Sequence, residues 1–148
     1  MFEIESKDQD EISITTKKTT IKFNIADASI DAGLAVGKIT GPGEFEIGDV
    51  SVRGIATESG KTIYDVEIGG VHTGIIGNIE ENLDDIVADL LCTSSVRAIR
   101  EIEPRLIIAM GNVDAMVTDL KLTARTEKKL KVKNLDSLPV TKEVVVLN

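Results

Sequence analysis

The chain has 148 residues, with 17 basic and 25 acidic side chains, a formal charge of −8, 42% hydrophobic residues and only 3% aromatic ones. That length is near the commonest size of one domain, and two separate cores would each be thin, so a single domain over 1–148 is expected. Low hydrophobicity and high net charge do not coincide here, which excludes intrinsic disorder, and no apolar run approaches the roughly eighteen residues of a membrane helix. Met1 to Glu11 lacks the basic start and apolar stretch of a secretory signal. One cysteine cannot close an intramolecular disulfide, which predicts a reducing cytoplasm.

Ile, Val and Thr number 19, 14 and 13. Such β-branched side chains suit a pleated surface better than a helix, so strands are expected to dominate. With few aromatics the core must be aliphatic, and base stacking on aromatic platforms has almost no material.

Phe2–Glu5, Glu11–Thr15 and Thr19–Asn24 alternate apolar and polar residues, the period of half-buried antiparallel strands. Gly41-Pro42-Gly43 is a turn into Phe45–Ile47, and Gly48-Asp49 is a tight hairpin into Val50–Ile55. Thr62–Ile68 and Val71–Ile76 flank a second hairpin at Gly69-Gly70. Val87–Cys92 and Leu106–Met110 are continuous apolar runs, which predict strands buried on both faces. Between them Ser94 or Ser95 caps a helix whose apolar face is Val96, Ile99 and Ile102, and Pro104 ends it. Asp89–Ile108 therefore reads as a strand–helix–strand unit with parallel pairing. Val113–Thr123 fits either helix or strand. Leu130–Val132 and Val144–Leu147 close the chain as strands.

The charge is uneven. Residues 1–110 hold ten bases against twenty acids, whereas Lys121 to Lys133 holds six bases against Glu127 alone, a local +5. Lys121, Arg125, Lys128, Lys129, Lys131 and Lys133 are candidates for binding an anion or a nucleic acid. Against that, lysines guard solvated edge strands, and the overall charge disfavours a polyanion.

Few residues carry chemistry. His72 is the only histidine, and zinc needs three or four ligands. Cys92 ends a buried run with no histidine partner in the spacing, the pattern of a small core residue. Glu80, Glu81, Asp84 and Asp85 are hard-cation ligands by type, but they lack the alternation of a calcium loop, and acids in a first helical turn serve the dipole without a metal. Gly69, Gly70, Gly74 and Gly77 are followed by no lysine–threonine pair and so make no phosphate loop.

Gly41-Pro42-Gly43-Glu44-Phe45-Glu46-Ile47 with Val50–Ile55, then Thr62–Ile68, Gly69-Gly70-Val71 and Ile75-Ile76-Gly77-Asn78, follow one another in a familiar order. Ala88–Leu91, Ile102–Met110 and the tail Leu138-Pro139 with Glu143–Leu147 continue it. In this order the segments resemble the small metallo-β-lactamase-fold hydrolases of the bacterial lactonase-like branch over roughly residues 40–148, with 1–40 only loosely similar. The resemblance implies a strand-rich α+β domain, a sandwich of two packed β-sheets with few outer helices, as a reduced αββα sandwich.

It also implies where a metal would sit, and there the sequence departs. The family's His-x-His-x-Asp-His loop falls on Asn24 to Lys38, which holds no histidine. Its glycine–aspartate falls on Gly77-Asn78, and its late histidine falls near Met110-Gly111. His72 matches none of these positions. A metal-activated hydroxide depends on an ion lowering the pKa of water from near 16 to about 7. No catalytic residue, metal or cofactor is therefore expected. The helix after the metal loop also has no counterpart, which would expose apolar sheet surface and favour self-association as a homo-oligomer.

Three readings follow. The first is a non-catalytic binding or structural, self-associating module. The second is a metal-dependent hydrolase with a site rebuilt from Asp27, Asp31, Asn78 and Asp114. The third is anion or nucleic-acid binding through the 121–133 stripe.

Overall fold

The computed structural model describes residues 1–8, 10–33, 37–77, 83 and 86–147. The alternating N-terminal segments form β1 (Phe2–Ser6), β2 (Glu11–Thr15) and β3 (Thr20–Asn24), followed by the short β4 (Ser29–Asp31) and β5 (Lys38–Thr40). A four-strand meander comes next: β6 (Gly43–Ile47), β7 (Val50–Ala56), β8 (Thr62–Ile68) and β9 (Val71–Ile76). Gly48 turns the first hairpin at φ +61°, and a Cβ there would overlap the Thr19 hydroxyl, so glycine is required twice over. Then follow β10 (Leu90–Thr93), α1 (Val96–Ile102), β11 (Leu106–Ala109) and α2 (Val113–Leu120). The chain closes with β12 (Ala124–Glu127), β13 (Lys129–Val132), a single 3-10 turn at Leu135–Ser137 and β14 (Glu143–Leu147).

These strands make two sheets. One is six-stranded in the order β13-β1-β2-β3-β4-β5, with every pair antiparallel. The other is eight-stranded in the order β12-β14-β11-β10-β9-β8-β7-β6. Its β12-β14-β11-β10-β9 half is parallel and its β9-β8-β7-β6 half antiparallel. Alternate residues of both sheets, among them Phe2, Ile4, Ile12, Phe23, Val66 and Leu90, bury one aliphatic core between them. A second core lies where Leu91, Ile107 and Val144 meet Ala98, Ile99 and Met116 of the helices. β10 and β11 serve both cores, and all four residues of each are buried, as their continuous apolar runs require. The fold is thus a strand-rich sandwich, with two short helices among the described residues packed on one side.

One segment differs from expectation and another, open between helix and strand, takes one of the two states, each for a local reason. Val87–Cys92 becomes a strand only at Leu90, and Val87 is 74% exposed. Leu90 pairs with Thr73, so an earlier residue would face only the start of β9 and the Gly69-Gly70 turn. The ambiguous 113–123 segment is helix to Leu120. Asn112 caps it by accepting the Ala115 N–H, and Lys121 ends it in the left-handed region at φ 55°.

No helix among the described residues covers the outer face of the six-stranded sheet, yet that face is not apolar. Across it runs one register row, Lys129–Glu5–Ser13–Lys22–Asp31–Lys38, in which each acid stands beside at least one base. Opposite charges on facing strands each contribute about 0.2–1 kcal/mol. The expected exposure of apolar sheet is therefore absent from this face, and with it the reason it supplied for self-association.

Candidate functional site

The resemblance directs attention first to the carboxyl ends of the parallel strands. There Gly77 follows β9, Ser94 follows β10, and Met110-Gly111 follows β11. The 25–28 turn closes on this end: a Cβ at Gly77 would lie 2.8 Å from the Ile25 carbonyl oxygen. The Tyr64 hydroxyl donates to the Ala28 carbonyl at 2.5 Å. Thr93 is buried, and its hydroxyl accepts the Ser95 N–H, so it serves the start of α1. The one carboxylate of the described 25–28 stretch is Asp27. It accepts from the Ser29 hydroxyl at 2.5 Å and the Lys38 ammonium at 3.3 Å, and the Ser29 bond above all holds its carboxyl below the usual 3.8.

The second place is a groove of about 620 Å³ on the outer face of the β6–β9 meander. Antiparallel register lays its floor in two rows, Glu46–Ser51–Glu67–His72 and Glu44–Arg53–Asp65. The His72 Nδ1 lies 3.1 Å from Asp65 Oδ1, and the Arg53 guanidinium lies 3.6 Å from Asp65 Oδ2. Ser51 donates to Glu46 at 2.8 Å. The exposed Val87 forms one wall. Four carboxylates against one guanidinium give the groove a net of −3 with His72 neutral. His72 sits near the start of β9, about 13 Å along the strand from its carboxyl end at 3.3 Å per residue. The Asp89 carboxylate accepts its backbone N–H at 2.9 Å, and its carbonyl accepts the Asp89 N–H at 2.8 Å.

The basic segment is the wall of the sandwich opposite the meander. Lys121 ends α2, Arg125 is in β12, Lys128 joins β12 to β13, Lys129 and Lys131 are in β13, and Lys133 follows it. Here the chain passes in one residue from the edge of the eight-stranded sheet to the edge of the six-stranded one. Arg125 is 2.7 Å from Glu143, and Lys129 is 3.3 Å from Glu3 and 3.1 Å from Glu5, so both are paired. The side chains of Lys121, Lys128, Lys131 and Lys133 are exposed and have no acidic partner among the described residues. The segment lies at the edges of both sheets, and with Glu3, Glu5, Glu127 and Glu143 among its six bases it keeps a net positive surface.

The remaining candidates disperse. Asp27 and Asp31 share a small pocket with Lys22 and Lys38 on the outer side of β3–β5, whereas Asp114 is in the first turn of α2. Asn78 and the cluster Glu80, Glu81, Asp84 and Asp85 lie outside the described residues. Among the described residues no three His, Cys, Asp or Glu side chains converge as metal ligands. Cys92 is wholly buried, and burial pushes its thiol up to about 12. The groove went unseen in the sequence because its residues come from four strands. Its one legible trace was the polar half of each alternating run.

No protein-family model and no curated protein matches the sequence. A solved structure from Thermotoga maritima, assigned as a Zn-dependent hydrolase of the metallo-β-lactamase superfamily, superposes on this chain with a TM-score of 0.73. The superposition covers 99% of this chain and 98% of the other at 16% identity. The chain therefore has the metallo-β-lactamase fold. The zinc of such a hydrolase finds no fitting donor set among the described residues. The chain's one imidazole is at the far end of β9, its one thiol is sealed in the core, and the carboxylate of Asp27 is engaged by Ser29 and Lys38.

Proposed function

We propose that this chain is a non-catalytic domain of metallo-β-lactamase fold that acts as a binding or structural module. The reading is carried by one observation: the only imidazole of the chain is tied to Asp65 near the amino end of β9, away from the strand ends where the resembled hydrolases hold their metal. Hydrolysis in that fold draws its nucleophile from metal-bound water, and a tight site needs three protein ligands with a position left open. Against the competing carboxylate and amide set stands the pocket in which Asp27 and Asp31 lie beside Lys22 and Lys38, and no three His, Cys, Asp or Glu side chains converge among the described residues.

Elemental analysis of untagged protein, with assays of phosphodiester and lactone hydrolysis after addition of zinc, iron or manganese, tests the reading. The expected result is no stoichiometric metal and no turnover above that of the free ions. A firmly bound metal that supports turnover, lost on chelation and restored on reloading, would reverse it.

A further inference from the structure

The two edges of the eight-stranded sheet carry opposite charge. At one edge β6 has no further neighbour among the described residues, and its exposed Glu44 and Glu46 open onto the groove of net −3. At the other edge β12 leads through Lys128 into β13, and Lys121, Lys128, Lys131 and Lys133 stand exposed. Seven strand spacings of about 4.8 Å separate β6 from β12, roughly 34 Å along the sheet, which no side chain of the same molecule can bridge. That distance is also several Debye lengths at physiological salt, so the two surfaces do not neutralise each other within one copy.

We infer that the basic β12–β13 wall of one copy docks against the acidic β6 edge and groove of the next. Pairing of like edges is disfavoured on both sides: β6 against β6 sets Glu44 and Glu46 on their own copies, and β13 against β13 sets Lys131 on its own copy beside the Lys128 and Lys133 that flank the strand. Only the head-to-tail arrangement brings complementary charge together while meeting unpaired strand edges. Such a contact joins two different patches, so it builds a closed ring or an open filament and not a two-fold dimer. The assembly goes beyond the non-catalytic reading and does not depend on it. Metal-supported turnover would leave it standing, and a monomeric protein would leave the non-catalytic reading standing.

Sedimentation of the full chain at about 50 mM and about 500 mM salt, where the Debye length falls from roughly 14 to roughly 4 Å, tests it. The mean mass should rise with concentration above 15.9 kDa at low salt. The apparent dissociation constant should increase about tenfold or more at high salt, as for charge pairs across an interface. The double variants E44K/E46K and K128E/K131E change only exposed side chains, and circular dichroism checks their folding. Each alone should stay monomeric, whereas their equimolar mixture should associate, because each then meets a surface of opposite sign. Wild-type protein that is monomeric throughout, association that persists unweakened at high salt or in either variant, or a mixture that stays monomeric would each overturn the inference.

Discussion

Asp27 shows how a single hydrogen bond sets a local charge. The Ser29 hydroxyl donates to its carboxylate, and Lys38 adds a second, weaker contact, so the ionised form is favoured below the usual 3.8. A carboxylate whose folded value is depressed adds stability that is fully present above its unfolded value and is lost as the pH falls through the folded one. Ser29→Ala should therefore move the Asp27 titration upward towards 3.8, followed by NMR of the carboxyl carbon. The stability gap between variant and wild type should be widest above that pH and close below it. An unmoved titration would mean that the bond does not set the value. Cys92 is the opposite case: a chain with one thiol has placed it in the inter-sheet core, where burial alone raises it.

Among elements, α1 is the clearest union of pattern and chemistry. Two serines precede its apolar periodicity, and the geometry selects Ser95, whose hydroxyl accepts the Ala98 N–H. The helix has only seven residues, so each end group counts. Ser95→Ala should cost about 1 kcal/mol in chemical denaturation, within the usual 0.5–2 for a lost cap, whereas Ser94→Ala should cost little. β12 is the reverse. Ala-Arg-Thr-Glu has no apolar alternation, because as an edge strand it pairs on one side only and three of its four residues are exposed. β4 and β5, at three residues each, are too short for any period to declare itself.

At the level of the molecule, what holds the sheets in place is the aliphatic filling between them, reinforced by the Thr16 hydroxyl donating to Asp49 and by Tyr64. Its ring packs at 5.9 Å from Phe23 of the other sheet, and its hydroxyl reaches the Ala28 carbonyl beyond β3. Tyr64→Phe keeps the ring and removes the bond. It should lower stability by about 0.5–1.5 kcal/mol with no change in denaturant slope, and no loss would show that water replaces the bond freely. The outer face of the six-stranded sheet, which no helix among the described residues covers, carries Lys–Glu and Lys–Asp neighbours along one register row that are at home in water.

Composition and period were enough for the strand-rich character and for most strands, whereas the two-sheet sandwich came only through the resemblance. β-branched residues and alternation act within a few positions of one another, and the order of the segments carried the likeness to a hydrolase fold. That His72 is the chain's single histidine is likewise read directly from the sequence, because residue identity is local information. Pairing order was not legible: whether Leu90 stands beside Thr73, or whether β12 and β13 guard two different sheets, depends on contacts between residues far apart in the chain. The acidic groove and the basic wall are likewise products of that order. Their charges are scattered through the sequence and become two opposed surfaces only when the strands are laid side by side.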